Sequence, residues 1–458
     1  MSRGGFAQLR SSLSVVPAGL LAAALGTHAV AATPAATAAT PCAIGTYQPV
    51  LQPVFAGVVI QNDQAVDCAM WQTFIYLTWP ADPLQRGVPR TTGGYGSGGA
   101  AVWDTFKSYD EVFLPNGQVP PGWNDDSQLL SKLRLSGQKK NAVAGQRPLK
   151  LLSSRSEVFR PLVAERNAAV GQPGKLEEIK QVGGGVLYDQ ATQPVYYEML
   201  LDKTEFDYIF SNQLYNATTQ NTFAKDSGLA LPVSSIEVKA AWKVLTPAEL
   251  GAKPVRFYTA QAILPGTSNP VTVGLVGLHV VQMPSANAFY EGFWATFAQV
   301  DNAPVQGQTI PSGAQYSFNN PACTACAPNT KSTKPAPTQV VQQFAVAPTA
   351  KPINEYAQSM IASQAPDSPW QFYQLLEVQW PTSAIPIGKP GATAPLAQNA
   401  TMNTVTSINP VLETFLQQPN TSCFGCHTYA STAKSGGASS FASSFSFLFG
   451  HAQAPSGK

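Results

Sequence analysis

"PVTVGLVGLHVVQM", residues 270–283, is the stretch that decides the fold class. β-Branched side chains crowd it, Gly274 and Gly277 interrupt it, and it holds no Asp, Glu, Lys or Arg. Such a run reads as a buried strand, since β-branched residues fit a pleated surface packed on its neighbours. Similar short runs lie around it: "GGGVLYD" (183–189), "QPVYYEMLL" (193–201), "SSIEVKAAWKVL" (234–245), "VRFYTAQAIL" (255–264) and "WQFYQLLEVQWP" (370–381). Proline, glycine and polar turns separate them, which is strand punctuation. The predicted class is therefore α+β, a mainly antiparallel sheet core with attached helices and long loops.

Helical spacing appears in "DCAMWQTFIYLTWP" (67–80), where Trp71, Phe74, Ile75 and Thr78 share a face and Pro80 ends the run. "VWDTFKSYDEVF" (102–113) and "TEFDYIFSNQLYN" (204–216) read as shorter helices. "FWATFAQ" (293–299) reads as an aromatic helix followed by Asp301-Asn302, a pair placed to cap or orient a neighbour. "NPVLETFLQQ" (409–418) is predicted as a helix with Asn409 as N-cap and Pro410 in the first turn.

The first residues, "MSRGGFAQLRSSLSVVPAGLLAAALGTHAVAATP", combine a basic start, a short apolar stretch and Ala29-Val30-Ala31 as a cleavage site. They read as a secretory signal, residues 1–31, which predicts a periplasmic or otherwise exported protein. Residues 32–48 form an Ala/Thr/Pro spacer, 49–330 the main domain, 331–352 a Pro-rich linker or loop, and 353–458 a C-terminal part packed on the main domain. With 28 basic and 26 acidic residues overall, removing Arg3 and Arg10 with the signal leaves 26 against 26. A chain of zero net charge gives no reason to expect nucleic acid or an anionic membrane as partner. No later segment is long and apolar enough to predict a stable membrane span in the mature chain.

The chemistry concentrates in "NTSCFGCHTYA", residues 420–430. Two thiols at C-x-x-C spacing can add to the two vinyl groups of a haem, and the adjoining imidazole reaches the iron from one face. Cys423 and Cys426 are thus predicted to hold one haem c covalently, on a short C-terminal helical segment, with His427 as proximal ligand. Three alternatives compete: a thioredoxin-like redox pair, half of a four-cysteine zinc site completed by Cys323 and Cys326, and a disulfide beside a chance histidine. The first leaves His427 unexplained, the second sits poorly with export, and the third asks one of only four histidines to fall there by accident. Cys323-x-x-Cys326 has Ala327 where the ligand would be, so it reads as a local disulfide. Cys42, Cys68, Cys323 and Cys326 allow three pairings, of which 42–68 with 323–326 closes the shortest loops.

No methionine follows His427, so a protein-supplied sixth ligand comes from upstream or from His451. His279 is the leading candidate, because a neutral imidazole in so apolar a strand needs a partner and iron is one. Met283 is the runner-up with Met402, and Met360, Met199 and Met70 complete the candidates.

The set "WQTFIYLTWPAD", "VWDTFKSYDEVFLPNG", "SIEVKAAWKVL", "VGLVGLHVVQMP", "FWATFAQVDNAP" and "SCFGCHTYA…SFSFLFGHAQ" resembles large exported bacterial cytochrome c family proteins with one C-x-x-C-H near the C-terminus. The likeness covers most of the chain after about Pro49 and implies a functional role for the histidine of "GLH", His279. One departure is Gln282, where a more basic stretch such as His-Lys is expected.

Three functions follow as expectations: one-electron transfer with a periplasmic redox partner; a haem-dependent oxidoreductase or peroxidase-like enzyme with an open distal face; or an exported binding or sensory module in which haem is structural. No dinucleotide fingerprint, P-loop, G-x-S-x-G elbow or H-E-x-x-H helix is present.

Overall fold

A computed structural model describes residues 62–126, 150–151, 184–283 except 266 and 268, 292–434 except 384, 386 and 398, and 441–455. The predicted signal and spacer, and Cys42, lie outside these residues.

The strands are β1 (Lys107–Ser108), β2 (Lys150–Leu151), β3 (Tyr196–Leu201), β4 (Ile236–Val244), β5 (Thr259–Ile263), β6 (Pro270–Gln282), β7 (Phe293–Gln299) and β8 (Tyr373–Gln379). The helices are α1 (Asp63–Thr78), α2 (Tyr109–Val112), α3 (Lys203–Ser211), α4 (Ala217–Asp226), α5 (Pro247–Gly251), α6 (Ala350–Gln364) and α7 (Cys423–His427). The protein is α+β, with one mainly antiparallel sheet at its core; among the described strands only the β2–β5 pairing is parallel.

β6 organises the sheet. One of its edges pairs with β4 along nearly its whole length. Its other edge is divided: residues 270–274 pair with β5, and residues 277–282 pair with β7, which in turn carries β8. The β4–β6 register shifts between Ala241 and Trp242 and leaves Val276 as an extra residue, so Val273 and Leu275 before it and Leu278 and Val280 after it enter one core cluster while Val276 enters another.

α1 and α6 cover the first face. Asn62 caps α1 by accepting from the Ala65 amide at 3.0 Å, and the helix ends at Trp79 because Pro80 disfavours helical backbone before it. Phe74 stacks on Phe297 with centroids 4.3 Å apart, and Trp71 meets both rings edge-on. Asn354 of α6 accepts from Trp71 Nε1 at 2.8 Å and donates to the Leu375 carbonyl at 2.8 Å, tying helix, helix and strand together.

Residues 293–299 form a strand and not the helix their aromatic run suggested. All seven are buried, so the period-2 alternation that marks a half-exposed strand is absent. Asp301, just beyond, accepts from Arg256 through Nη2 at 2.8 Å in a two-point ion pair, and Asn302 donates to the Val276 carbonyl at 2.6 Å. "GGGVLYD" contributes only an isolated bridge from Tyr188 to Pro194. Pro352, expected at the end of a linker, stands inside α6. Among the described residues no helix is long and apolar enough to cross a membrane.

Candidate functional site

The second face of the sheet receives the chain that leads into the C-x-x-C-H motif. Gly277 makes room for it: a β-carbon there would stand 2.7 Å from Val411 Cγ2 and 3.3 Å from Asn409 Oδ1. Asn409 does not start an α-helix. Its amide donates to Thr296 Oγ1 and to the Phe297 carbonyl, both at 2.9 Å, and the chain continues as a turn and a 3-10 turn at Thr414–Leu416. Bonds to the sheet outcompete the predicted helix here.

The motif itself is α7, capped by Ser422, whose Oγ accepts from the Gly425 amide at 3.1 Å. Phe424 fixes it to the sheet. Its amide donates to Gln379 Oε1 at 2.7 Å, and its ring meets Trp294 edge-on at 5.6 Å and stacks on Phe445 at 5.0 Å.

α7 and the sheet line a cavity that opens to solvent, with about 790 Å³ of empty space counted out into its mouth. Cys423, Cys426 and His427 line it from one side, His279, Lys239, Glu237, Met199 and Trp294 from the sheet, and Glu413, Ser407 and Phe447 close it. The sheet thereby brings His279 into the same cavity as the motif. Met283 is not among the lining residues; it is 5% exposed and belongs to the core cluster with α1. Met70 is in that core and Met360 packs against it, Met402 packs beside Trp294 and Phe424, and His451 lies against the Tyr109 ring at 4.2 Å. Of the methionines, Met199 alone lines the cavity. Gln282 faces α1, accepting from Thr73 Oγ1 at 2.8 Å.

Neither motif cysteine is in a disulfide, and both residues are half-buried. Burial pushes the Cys423 thiol up to about 12; the negative charge of Glu413 adds to this, and Ser407 and Lys239 oppose it. A thiol so held stays protonated, unlike the thiolates of redox-active C-x-x-C pairs. Cys323 and Cys326 are disulfide-bonded to each other, so they cannot complete a four-cysteine zinc site with the motif. Cys68 is also in a disulfide.

His427 Nδ1 lies 2.6 Å from the Phe445 carbonyl oxygen. A carbonyl only accepts, so Nδ1 carries the proton and the neutral ring has its lone pair on Nε2. His279 Nε2 lies 2.9 Å from Glu413 Oε1, while its Nδ1 is buried with no hydrogen-bond partner among the described residues. Burial pushes Glu413 up, but His279, Lys239 and the Asn409 amide outweigh it and hold the carboxyl below its ordinary range. As a carboxylate, Glu413 accepts from Nε2–H and leaves the His279 lone pair on Nδ1. Glu413 escaped the sequence reading, although it is the one charged residue between Lys389 and Lys434.

No family model matches this chain, and it has no match among curated proteins or solved structures.

Proposed function

We propose that this chain is an exported c-type cytochrome that carries one covalent haem and passes single electrons to and from a protein partner. The observation that carries the reading is the cavity that Cys423, Cys426 and His427 share with His279. Two cysteines outside any disulfide at haem-attachment spacing, and a histidine whose Nδ1 is engaged by a backbone carbonyl, suit haem chemistry. Cys423 and Cys426 would form the thioether links and His427 the proximal bond. His279, oriented by Glu413, would offer the second ring nitrogen. Haem bound there supplies one chemistry, a reversible one-electron change at iron. The chain's residues orient the ligands, and Trp294 and Leu448, both buried, give the cavity part of an apolar wall.

A second reading rests on the same histidine. If His279 stays on Glu413 and does not reach iron, the distal face is open and a haem-dependent oxidoreductase is favoured.

The test is the alkaline pyridine spectrum of protein matured in a host that attaches haem, followed by the optical spectrum of wild type and His279→Ala. Covalent haem with low-spin bands that His279→Ala converts to high-spin bands supports the electron carrier. High-spin bands in the wild type, shifting with carbon monoxide, support the enzyme. Colourless mature protein ends both readings.

A further inference from the structure

The loop of residues 319–329 carries the second C-x-x-C, and hydrogen bonds close it without help from its disulfide. Phe318, fully buried in one core cluster with Val340, accepts from the Val340 amide at 2.7 Å. Asn319 Nδ2 then donates to the Val340 carbonyl at 2.8 Å, and Asn320 exchanges two bonds of 3.0 Å with the Gln339 side chain. At the other end the Asn329 amide donates to the Gln339 carbonyl at 2.8 Å. Its side chain donates to the Val341 carbonyl at 2.9 Å and accepts from the Val341 amide at 3.0 Å. Both ends of the loop are thus fastened to one segment, residues 339–341.

The Cys323–Cys326 bond lies inside this closed loop and joins residues only three positions apart. A cross-link restrains the unfolded chain more the longer the loop it encloses, so a bond this local adds little to the fold. Its surroundings are open. Cys326 is exposed and Cys323 half-buried, while Ala322, Thr324, Ala325 and Ala327 beside them are small and exposed. Exchange begins when a thiolate reaches a disulfide sulfur, which makes exposed disulfides the labile ones. The backbone also holds the pair together without the bond: the Cys323 amide donates to the Asn320 carbonyl at 3.0 Å, and the Cys326 amide to the Cys323 carbonyl at 3.3 Å. The two Cα atoms stand 5.5 Å apart, within the span of a disulfide, so this turn keeps reduced thiols in reach of each other.

We infer that Cys323–Cys326 is an exchange disulfide, which accepts two electrons from the dithiol of a partner protein while the fold stays intact. The inference does not rest on the haem reading. A thiolate of the partner attacks the exposed Cys326 sulfur, the bond to Cys323 breaks, and the Cys323 sulfur leaves as a thiolate that takes a proton from water. The partner's second thiol gives up its proton and attacks the mixed disulfide, releasing Cys326 as a thiolate that is protonated in turn. The pair gains two electrons and two protons; the partner loses both and becomes a disulfide. The same steps in reverse restore the bond.

The experiment incubates the folded full chain with graded dithiothreitol, alkylates the free thiols and locates them by peptide mass, which separates this pair from Cys68 and from the motif. Cys323 and Cys326 should reach half-labelling at a dithiothreitol concentration at least ~10-fold below that for Cys68, whose disulfide involves a helix packed on the main core. The probe for the partner class is reduced thioredoxin with its second redox cysteine replaced by serine, which should be trapped as a mixed disulfide on Cys326. The double variant Cys323→Ser, Cys326→Ser should unfold at the wild-type urea concentration. Reduction only where the Cys68 bond also opens, failure to trap the probe, or a clearly lower urea midpoint in the double variant overturns the inference. None of these readouts uses haem, so failure here leaves that reading untouched.

Discussion

His427 Nδ1 and the carbonyl oxygen of Phe445 stand 2.6 Å apart, and the residues that aim this carbonyl are in left-handed backbone: Ser444 at φ 54° and Phe445 at φ 62°. Non-glycine residues there cost on the order of 1 kcal/mol or more each, so the surrounding structure must hold them. Ser443 does part of this, donating through Oγ to the Ser446 carbonyl at 2.6 Å. His427→Ala leaves the buried Phe445 carbonyl without its donor. The haem-less chain should lose ~1–3 kcal/mol in denaturant unfolding; equal stability would show that the bond contributes nothing.

Glu413 gives the protein an acid-sensitive contact. Its carboxyl is held below the ordinary range, so its stabilisation is complete above the unfolded value of about 4.3 and is lost as pH falls through the folded value. Wild type should therefore lose stability on acidification below about pH 4, and Glu413→Gln should lose less over the same interval. Unfolding midpoints at several acidic pH values check this; parallel curves would count against it.

Asp67 and Glu377 behave in the opposite sense. Burial raises Asp67 to about 7, assisted by Asp63 and opposed by Thr349; burial and then the charge of Asp67 raise Glu377 to about 8. The folded state binds more protons than the unfolded chain, so stability should decline as pH rises through 7 and 8. Asp67→Asn should be more stable than wild type by a few kcal/mol at about pH 9, and much closer to it at about pH 5. Urea unfolding at the two pH values decides; a gap of the same size at both would refute the assignment.

Gly277 and Gly274 separate two consequences of filling space on β6. Gly277→Ala puts a methyl against Val411 and Asn409, in the chain that delivers the motif, whereas Gly274→Ala meets Leu245 at 2.6 Å and Phe257 at 3.0 Å. Each should cost ~1–3 kcal/mol by overpacking. Only Gly277→Ala should also lower the fraction of protein that acquires covalent haem, read as haem absorbance per mole of chain.

The strands of residues 193–201, 234–245, 255–264 and 270–283 were legible because their β-branched and aromatic runs end at sharp turns. β7 was not, since burial on both faces erases alternation and leaves an aromatic run that fits either period. The helix expected at Asn409 failed because a buried side-chain amide with two partners on β7 outweighs a local cap. His279 was readable as a polar residue in an apolar strand. Glu413 needed the fold, for nothing in its neighbours announces a pairing with a strand more than a hundred residues earlier.

Between Lys389 and Lys434 the chain around the motif has a single charge, Glu413, already committed to His279. This segment by itself therefore offers a partner of the proposed carrier little long-range attraction. Collisions there should proceed at the modest rates of unsteered protein pairs, ~10⁵–10⁶ M⁻¹s⁻¹, and change little when salt is added. For the proposed carrier, discrimination between partners would then fall to shape and dehydration at close range: Val405, 65% exposed and two residues before Ser407, whose Oγ lies 3.6 Å from Cys423 Sγ, supplies apolar surface there.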